Sequence, residues 1–279
     1  PPAIKARGRA FPSPLPGQGP GRAQGHRSRS ISPAWHQARQ GRAFRPLLAA
    51  ETASRSRTFA PGHLSAGANV KVKLLKDYEG PGLGIFYGKN GSRATVEIDL
   101  NQHAWNLTND PLFGSTGYQN QYFHLEKDAF VTFRNGTVQP KEVASGRMLI
   151  QNYCHLTLDK VKLIGGSSCK YVISNNNGSC TISNSTITAA AGQCAFDVYS
   201  YKPYPGGVTV TVNGQSVING RVEFDGNSGK KNGNLVINGG TINGNLSANN
   251  DYYDSINKNI IIKEGVTFGA DVTGWDDYK

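Results

Sequence analysis

The sequence predicts an all-β protein, a parallel β-helix solenoid in which coils of about 25 residues stack on one another. Three observations support this prediction. Segments with apolar residues at i, i+2 and i+7 recur at nearly constant spacing, turn-forming Asn and Gly lie between the second and third apolar positions, and no window shows a clean helical period. Five clear segments and a weaker sixth begin at Val131, Leu156, Cys180, Val210, Leu235 and Ile260.

Each coil is predicted to contain two short strands. The i and i+2 residues form the inward side of the first strand, because side chains alternate across a strand with a period of two. Corner sequences such as Asn135-Gly136 and Asn213-Gly214 tolerate left-handed backbone conformations, so they turn the chain sharply. The i+7 residue then begins the second strand, and a longer segment returns to the next coil. The i+7 residues are Val138, Leu163, Ile187, Val217 and Ile242.

The residues before the first clear coil are predicted to belong to the same domain. A degraded copy of the repeat places Ile98, Leu100 and Trp105 at i, i+2 and i+7. We therefore expect lead-in strands over 69–108, followed by a loop over 110–121.

A second aromatic-rich stretch near the C-terminus is predicted to cap the last coil. Terminal repeats are usually atypical, because the end of a solenoid must cover its open core and exposed strand edge. The aromatic residues of this stretch are Tyr252, Tyr253 and Trp275.

A set of β-hairpins is the competing interpretation, because Asn-Gly between apolar runs is also a strong hairpin signal. The apolar runs after the turns are very short, however, and strands of a sandwich recur about every 8–12 residues. Both points favour a solenoid, in which each coil buries its apolar stripe only by stacking on its neighbours.

The formal net charge of +11 comes almost entirely from the first 60 residues, which carry ten Arg and one Lys against Glu51 alone. Residues 1–62 are also rich in Pro and Gly and poor in large aliphatic side chains. We expect them to be disordered, and residues 63–279 to form the β-helix domain. The abrupt change in composition favours a segment of separate origin that is not native to the domain. The alternative is a basic arm that contacts nucleic-acid phosphates or another anionic surface non-specifically.

Four cysteines lie in the repeat domain, at positions 154, 169, 180 and 194. None belongs to a Cys-x-x-Cys pair, and no His stands at zinc-like spacing beside them, so neither a metal nor another cofactor is predicted. Cys154 and Cys180 are about one coil apart, as are Cys169 and Cys194. Each pair is compatible with stacked thiols or with a disulfide.

Residues 98–268 resemble the right-handed parallel β-helix superfamily, the pectin-lyase-like fold. The resemblance rests on the coil length, the inward aliphatic stripe and the corner asparagines, as in VTFRNGTV from Val131 and NLVINGGTI from Asn234. It implies a right-handed solenoid. The superfamily includes enzymes that cleave polysaccharides, adhesins and other surface proteins, and phage tailspikes and fibres. The style of these coils is most similar to that of extracellular proteins of gut bacteria and their phages.

An enzyme of this kind needs paired carboxylates, or a base beside a metal or an arginine, on one outward face of adjacent coils. Adjacent coils are ~4.8 Å apart, so such acids should occupy equivalent positions of the repeat. Asp159 has no such partner, because Arg134 and Ser183 occupy its position in the neighbouring coils. Asp197 and Asp225 are a candidate pair about one turn apart, but no motif supports them. No catalytic residue is predicted.

One coil is five residues longer than most of the others, and the additional residues fall near 195–207. Insertions in repeat proteins map to loops, which often form the binding face. Tyr199, Tyr201 and Tyr204 surround Lys202 in this stretch, and aromatic rings beside polar groups suit the apolar faces and hydroxyls of sugars. These four residues are the predicted carbohydrate-binding residues. The alternative is that the tyrosines pack against an exposed coil edge.

The sequence therefore predicts a non-catalytic extracellular, cell-surface or virion β-helical protein that serves adhesion or carbohydrate contact. Two alternatives stay open: a polysaccharide lyase or glycoside hydrolase, and an assembly component such as a phage fibre or tailspike, which is compatible with a trimer. The expected partners are glycans or a cell surface. No apolar run reaches the ~18–20 residues of a membrane span, and no secretory signal is visible.

Overall fold

The chain forms a parallel β-solenoid in the computed structural model, as the repeat predicts. The described residues belong to one compact unit, Arg45–Lys279, and none of them forms a helix long and apolar enough to span a membrane. The structure describes residues 49–50, 57–58, 67–85, 94–108, 113–115, 118–141, 147–201, 203–204, 206–226, 232–248 and 259–278.

The first face of the solenoid is a stack of eight parallel strands, each in register with the strand one coil earlier. Val131 lies opposite Leu156, which lies opposite Cys180 in the next coil. This register matches the predicted repeat and confirms its coil length of about 25 residues. The strands are β3 (Asn69–Lys73), β6 (Thr95–Asp99), β10 (Phe130–Pro140), β12 (His155–Ile164), β14 (Gly178–Ser183), β17 (Val208–Asn213), β20 (Gly233–Ile237) and β23 (Ile260–Ile262).

The second face consists of shorter strands that follow the corner of each coil. β10 and β12 run through this corner without a break, so the first and second faces belong to one 16-stranded sheet, which also includes two short N-terminal strands described below. The other strands of the second face are β4 (Tyr78–Gly80), β7 (Ala104–Leu107), β15 (Thr186–Thr188), β18 (Val217–Asn219), β21 (Thr241–Ile242) and β24 (Thr267–Phe268).

The return segment of each coil contains a third strand, which the repeat pattern does not predict. These strands also stack in parallel, and they form the third face of the solenoid. They are β5 (Gly84–Ile85), β9 (Tyr118–Leu125), β11 (Met148–Asn152), β13 (Tyr171–Asn175), β16 (Cys194–Ser200), β19 (Arg221–Gly226) and β22 (Leu246–Ala248).

Antiparallel pairing occurs at the N-terminal end of the first face and beside β9. There β1 (Ala49–Ala50) pairs with β3, and β2 (Arg57–Thr58) pairs with β1. β8 (Phe113–Ser115) pairs with β9, so the described part of the predicted loop over 110–121 forms a hairpin instead. Apart from β1 and β2, the predicted disordered segment 1–62 lies outside the described residues.

The core lies between the three faces. Trp105 on the second face, Phe123 on the third and Phe133 on the first meet there edge to face, with ring centroids 5.2 Å apart in each successive pair. All three rings are buried, as are the i residues of all six segments from Val131 to Ile260. Burial of this shared apolar column supplies the main stabilising free energy of the stack.

The fourth coil has a different corner from the predicted one. Ile218, rather than Val217, faces the core, and it pairs with Ile187 of the preceding coil. A turn at Gly214 and Gln215 adds one residue to this corner, which shifts the inward position from i+7 to i+8.

The lead-in repeat is also displaced from its predicted register. Its first inward residue is Val96, which pairs with Val131, so Ile98 occupies the i+2 position rather than the i position. Trp105 pairs with Val138 and is buried as predicted. The corner between Ile98 and Trp105 is longer than the corresponding corner of the other coils. Asn101 and Gln102 adopt positive φ angles there.

Four consecutive coils turn their first corner through one left-handed residue at the same position of the repeat. Asn135 (φ 57°) and Asn184 (φ 49°) confirm the predicted role of corner asparagines. Gly214 (φ 63°) and Lys160 (φ 55°) occupy the equivalent position. Lysine has no intrinsic preference for this conformation, so the fold imposes it at position 160.

Candidate functional site

The third face differs from the other two because polar side chains are buried in its strands. Every residue of β11 is buried, both those that point to the core and those that point outward. Buried polar groups require hydrogen-bond partners, and neighbouring coils supply them here. The buried polar and charged residues of the third-face strands are Gln121, His124, Gln151, Asn152, Ser174, Asn175, Asp197 and Ser200.

The outward polar side chains form a row that crosses the coils. His124 Nδ1 lies 3.2 Å from Gln151 Oε1, and Gln151 Nε2 donates a hydrogen bond of 2.8 Å to the hydroxyl of Tyr153. Further along the row, Ser174 Oγ donates to Asp197 Oδ2 over 2.9 Å. The backbone N–H of Asn175 donates to the other carboxylate oxygen of Asp197. These bonds join β9 to β11 and β13 to β16 on the outer side of the sheet.

The three predicted tyrosines lie together at the end of this row. The ring centroids of Tyr199 and Tyr201 are 6.2 Å apart, and those of Tyr201 and Tyr204 are 5.6 Å apart. Tyr204 in turn packs at 5.2 Å against Tyr153, a residue that follows β11 two coils earlier. We call these four residues the tyrosine platform. Lys202, the fourth predicted binding residue, lies outside the described residues.

The four tyrosines of the platform differ in their exposure to solvent. Tyr153 is buried, whereas Tyr199, Tyr201 and Tyr204 are half-buried. The tyrosines therefore pack against the third face, while three of their rings keep surface that reaches solvent. Carbohydrate binding by this loop stays a prediction. Tyr153 was missed because nothing in its local sequence places it beside a loop two coils later.

Backbone hydrogen bonds hold the loop of the platform in place. Within the loop, Tyr204 N donates to Tyr201 O and Gly207 N donates to Tyr204 O, over 2.9 and 3.1 Å. Gly207 O accepts from Gly178 N of the preceding coil over 3.0 Å. A side chain at Gly207 would collide with the backbone of Asn232, and its φ of 75° also favours glycine. The additional residues of this coil are thus built into a defined loop.

Acidic side chains lie along the same outer surface. Asp197 is directly opposite Glu223 in the next coil, and Tyr199 is directly opposite Asp225. The candidate pair Asp197 and Asp225 is therefore close in space, but the register partner of Asp197 is Glu223, which the repeat pattern does not indicate.

Burial raises the pKa of Asp197 to about 8. The hydrogen bonds from Asn175 and Ser174 oppose this effect, and the negative charges of Glu223 and Asp225 add to it. Because the raised pKa lies above 7, the Asp197 carboxyl is protonated in most molecules at pH 7. Burial likewise raises the pKa of Tyr204, with a further contribution from the charge of Glu126.

Two acids of this surface, Asp197 and Glu223, already have partners within the protein. Glu223 accepts a hydrogen bond of 2.9 Å from the hydroxyl of Tyr171 and forms an ion pair of 2.5 Å with Arg221. Asp197 is only 4% exposed, and both of its carboxylate oxygens accept hydrogen bonds. In this arrangement the two carboxyl groups join strands together and do not present a reactive pair to solvent.

The structure also locates the remaining candidate residues. All four cysteines are buried free thiols. Trp275 is buried at the C-terminal end of the core, whereas Tyr252 and Tyr253 lie outside the described residues. Among the side chains that the structure describes, no group of three or more His, Cys, Asp or Glu is arranged to hold a metal ion.

Comparison with known proteins returns no match to a protein-family model, a curated protein or a solved structure. The fold and the site described above are therefore the features that characterise this chain. They define the class of protein as a parallel β-solenoid with an aromatic loop on its third face.

Proposed function

We propose that this chain is a non-catalytic β-solenoid that contacts carbohydrate through the tyrosine platform. The observation that carries the proposal is the cluster of three half-buried tyrosine rings, Tyr199, Tyr201 and Tyr204, on a loop held by backbone hydrogen bonds. A sugar ring stacks on an aromatic face through its apolar side, and its hydroxyl groups need hydrogen-bond partners at the edge of that face. A loop that is already held by hydrogen bonds loses less entropy when it binds.

Polar groups at the margin of the platform meet the second requirement. Glu126 lies close enough to Tyr204 to raise the pKa of its phenol, and the side chain of Glu126 is partly exposed. Asp225 lies beside Tyr199 in the strand register. Carboxylates accept hydrogen bonds from sugar hydroxyls, so these two residues are suited to orient a bound sugar.

The outer surface of the first face is consistent with an adhesive role outside the cell or on a virion. Thr157, Thr181 and Thr211 follow one another in register there, each half-exposed. Such an uncharged hydroxyl array suits repeated weak contacts with a polar surface. We propose the same location for the protein as for its glycan partner, namely the extracellular space, a cell surface or a virion.

A polysaccharide lyase or glycoside hydrolase is the second candidate, favoured only by the facing carboxyl groups of Asp197 and Glu223. Catalysis would require at least one of them to reach the substrate, whereas Asp197 is buried and Glu223 is held by Tyr171 and Arg221. Release of new reducing ends from cellohexaose, chitohexaose, mannohexaose or hexagalacturonate would establish catalysis and contradict the non-catalytic assignment.

The test of the proposal is binding to a panel of hexasaccharides, measured by isothermal titration calorimetry. The panel contains cellohexaose, chitohexaose, mannohexaose and hexagalacturonate. We expect at least one sugar to bind, and Tyr201→Ala to weaken that binding about tenfold, which corresponds to ~1.4 kcal/mol. Phe130→Ala is the matched control, since Phe130 is an exposed aromatic residue on the first face.

Two results would contradict the proposal. One is the absence of binding to every sugar of the panel and to a broader glycan array. The other is equal loss of binding in Tyr201→Ala and Phe130→Ala, which would place the sugar elsewhere on the solenoid.

A further inference from the structure

The buried acid of the third face and the first ring of the tyrosine platform belong to one strand. Asp197 and Tyr199 are two residues apart in β16, so their side chains point to the same side of the sheet. Across the next coil they face Glu223 and Asp225, which are likewise two residues apart in β19. A change in the position of β16 at Asp197 therefore moves the platform directly.

The carboxyl group of Asp197 joins β16 to β13. Ser174 Oγ and the backbone N–H of Asn175, both in β13, donate to its two oxygens, and Asn175 Nδ2 donates to the carbonyl oxygen of Asp197 over 2.9 Å. At 4% exposure, almost no water reaches the side chain of Asp197. The protonation state of this one group thus affects the contact between two coils.

The charges around Asp197 are predominantly negative. The guanidinium of Arg221 forms an ion pair with Glu223. Among the described side chains of this cluster, no second cation neutralises the charge of Asp225. Ionised Asp197 would add a second uncompensated negative charge at a buried position, at a large cost in desolvation. The titratable or charged groups that face this cluster are Tyr171 on β13, Cys180 on β14, Cys194 on β16, and Arg221, Glu223 and Asp225 on β19.

We propose that the protonation state of Asp197 regulates the tyrosine platform. With the carboxyl protonated, its hydroxyl donates to Ser174 Oγ across the same contact, and Asn175 N–H still donates to the other oxygen. In this state β16 lies against β13 and β19 and holds Tyr199 and Tyr201 in the binding arrangement. Loss of the proton places a charge in the buried row, loosens β16 and weakens sugar binding. This regulation rests on the carbohydrate contact proposed above.

The raised pKa of Asp197, about 8, sets the pH range of the effect. The protonated fraction of the carboxyl falls from about nine tenths at pH 7 to about one tenth at pH 9. If only the protonated form binds sugar, the apparent affinity falls about tenfold between these pH values. The phenol of Tyr204, whose pKa is raised above its usual value near 10, stays largely protonated over this range.

The experiment follows two signals from pH 6 to pH 9.5 in the wild type and in Asp197→Asn. The first is the near-ultraviolet circular dichroism of the tyrosines without sugar, and the second is the binding of the hexasaccharide panel. In the wild type we expect a spectral transition with a midpoint near pH 8 and a parallel loss of affinity. Asparagine resembles the protonated acid in shape and charge, so neither change is expected in Asp197→Asn.

Two further variants keep the test decisive. Glu223→Gln removes a negative neighbour, so the midpoint is expected to move to lower pH, which tests the proposal even if Asp197→Asn does not fold. Asp159→Asn on the first face is the control, and its midpoint should equal that of the wild type. A wild-type spectrum and affinity that stay constant over this range, or an unchanged transition in Asp197→Asn, would overturn the proposal. A transition at pH 8 with no sugar bound at any pH would instead contradict the carbohydrate contact and support the coupling of Asp197 to the tyrosine rings.

Discussion

The indole nitrogen of Trp275 donates a hydrogen bond of 2.8 Å to the carbonyl oxygen of Gly244. The indole ring is fully buried and lies 5.6 Å from the ring of Phe268 in the last coil. Just before it in the chain, Thr273 O accepts a hydrogen bond from Leu246 N, at the outermost strand of the third face. The C-terminal residues therefore cover the open end of the core, as the sequence predicts for Trp275.

Removal of this cap is expected to destabilise the protein strongly. Trp275→Ala leaves a cavity at the end of the apolar column, and loss of a buried Trp costs about 3–5 kcal/mol. Trp275→Phe retains most of the packing and loses the hydrogen bond to Gly244, at a cost of about 1 kcal/mol. Urea denaturation measures both values. A loss below ~1 kcal/mol in Trp275→Ala would mean that the indole does not close the core.

A substitution at the left-handed corner residue Lys160 is expected to stabilise the protein rather than destabilise it. Glycine adopts positive φ without the steric cost that lysine incurs, so Lys160→Gly is expected to stabilise the protein by about 0.5–1 kcal/mol. Lys162 is the matched control, because it is also exposed but lies in the extended part of β12, where glycine is expected to destabilise by a similar amount. Thermal denaturation of both variants checks the signs. Destabilisation by Lys160→Gly would contradict the corner geometry.

The raised pKa of Asp197 predicts a stability that depends on pH. The unfolded carboxyl ionises near pH 4, whereas the folded one keeps its proton until about pH 8. The folded state thus binds one more proton over this window, and its stability from this group decreases as pH rises, by about 1.4 kcal/mol per pH unit at most. The contribution is fully present below pH 4 and lost above pH 8.

Asp197→Asn removes this dependence, so the difference in unfolding free energy between the variant and the wild type should increase from pH 4 to pH 8. Urea denaturation at intervals across the window measures it. Because all other titrating groups are shared, parallel curves for the two proteins would contradict the assignment of a raised pKa to Asp197.

The cysteines should be unreactive in the folded protein. All four are buried free thiols, and burial raises the pKa values of all four, that of Cys169 to about 11. Only the thiolate reacts readily with an aromatic disulfide reagent. We expect no rapid reaction in the native state and four equivalents after unfolding without reductant. Fewer than four equivalents would indicate disulfides instead.

The first two faces of the solenoid were predictable because their strands obey a simple rule. Pairs such as Val131 and Phe133 are apolar and lie two residues apart, and a corner residue such as Asn135 follows them. The prediction placed Val217 in the core instead of Ile218, because a one-residue extension of a corner changes neither the composition nor the general pattern. Register at a corner depends on the backbone path, which periodicity does not report.

The third face could not be predicted in the same way. Its strands bury polar residues such as Gln151 and Ser174 on their outer side, so they lack the alternation that identifies a half-buried strand. The tyrosine platform could be predicted only in part. The aromatic composition of the loop indicated Tyr199, Tyr201 and Tyr204, but contact with Tyr153 depends on the stacking of coils and has no local signal.

The stacking of coils along one axis is tested most directly by distances between spin labels on the first face. Lys71, Thr132, Val236 and Ile261 belong to one outward ladder, and cysteines introduced there are accessible, whereas the native thiols are buried. Four, five and seven coil steps separate the pairs 132–236, 132–261 and 71–261, which correspond to about 19, 24 and 34 Å at ~4.8 Å per step. Pulsed electron paramagnetic resonance should give mean distances that increase in this order by about one strand spacing per coil. Distances that do not increase with the number of coils, as in two antiparallel sheets packed face to face, would contradict the solenoid and every assignment that depends on it.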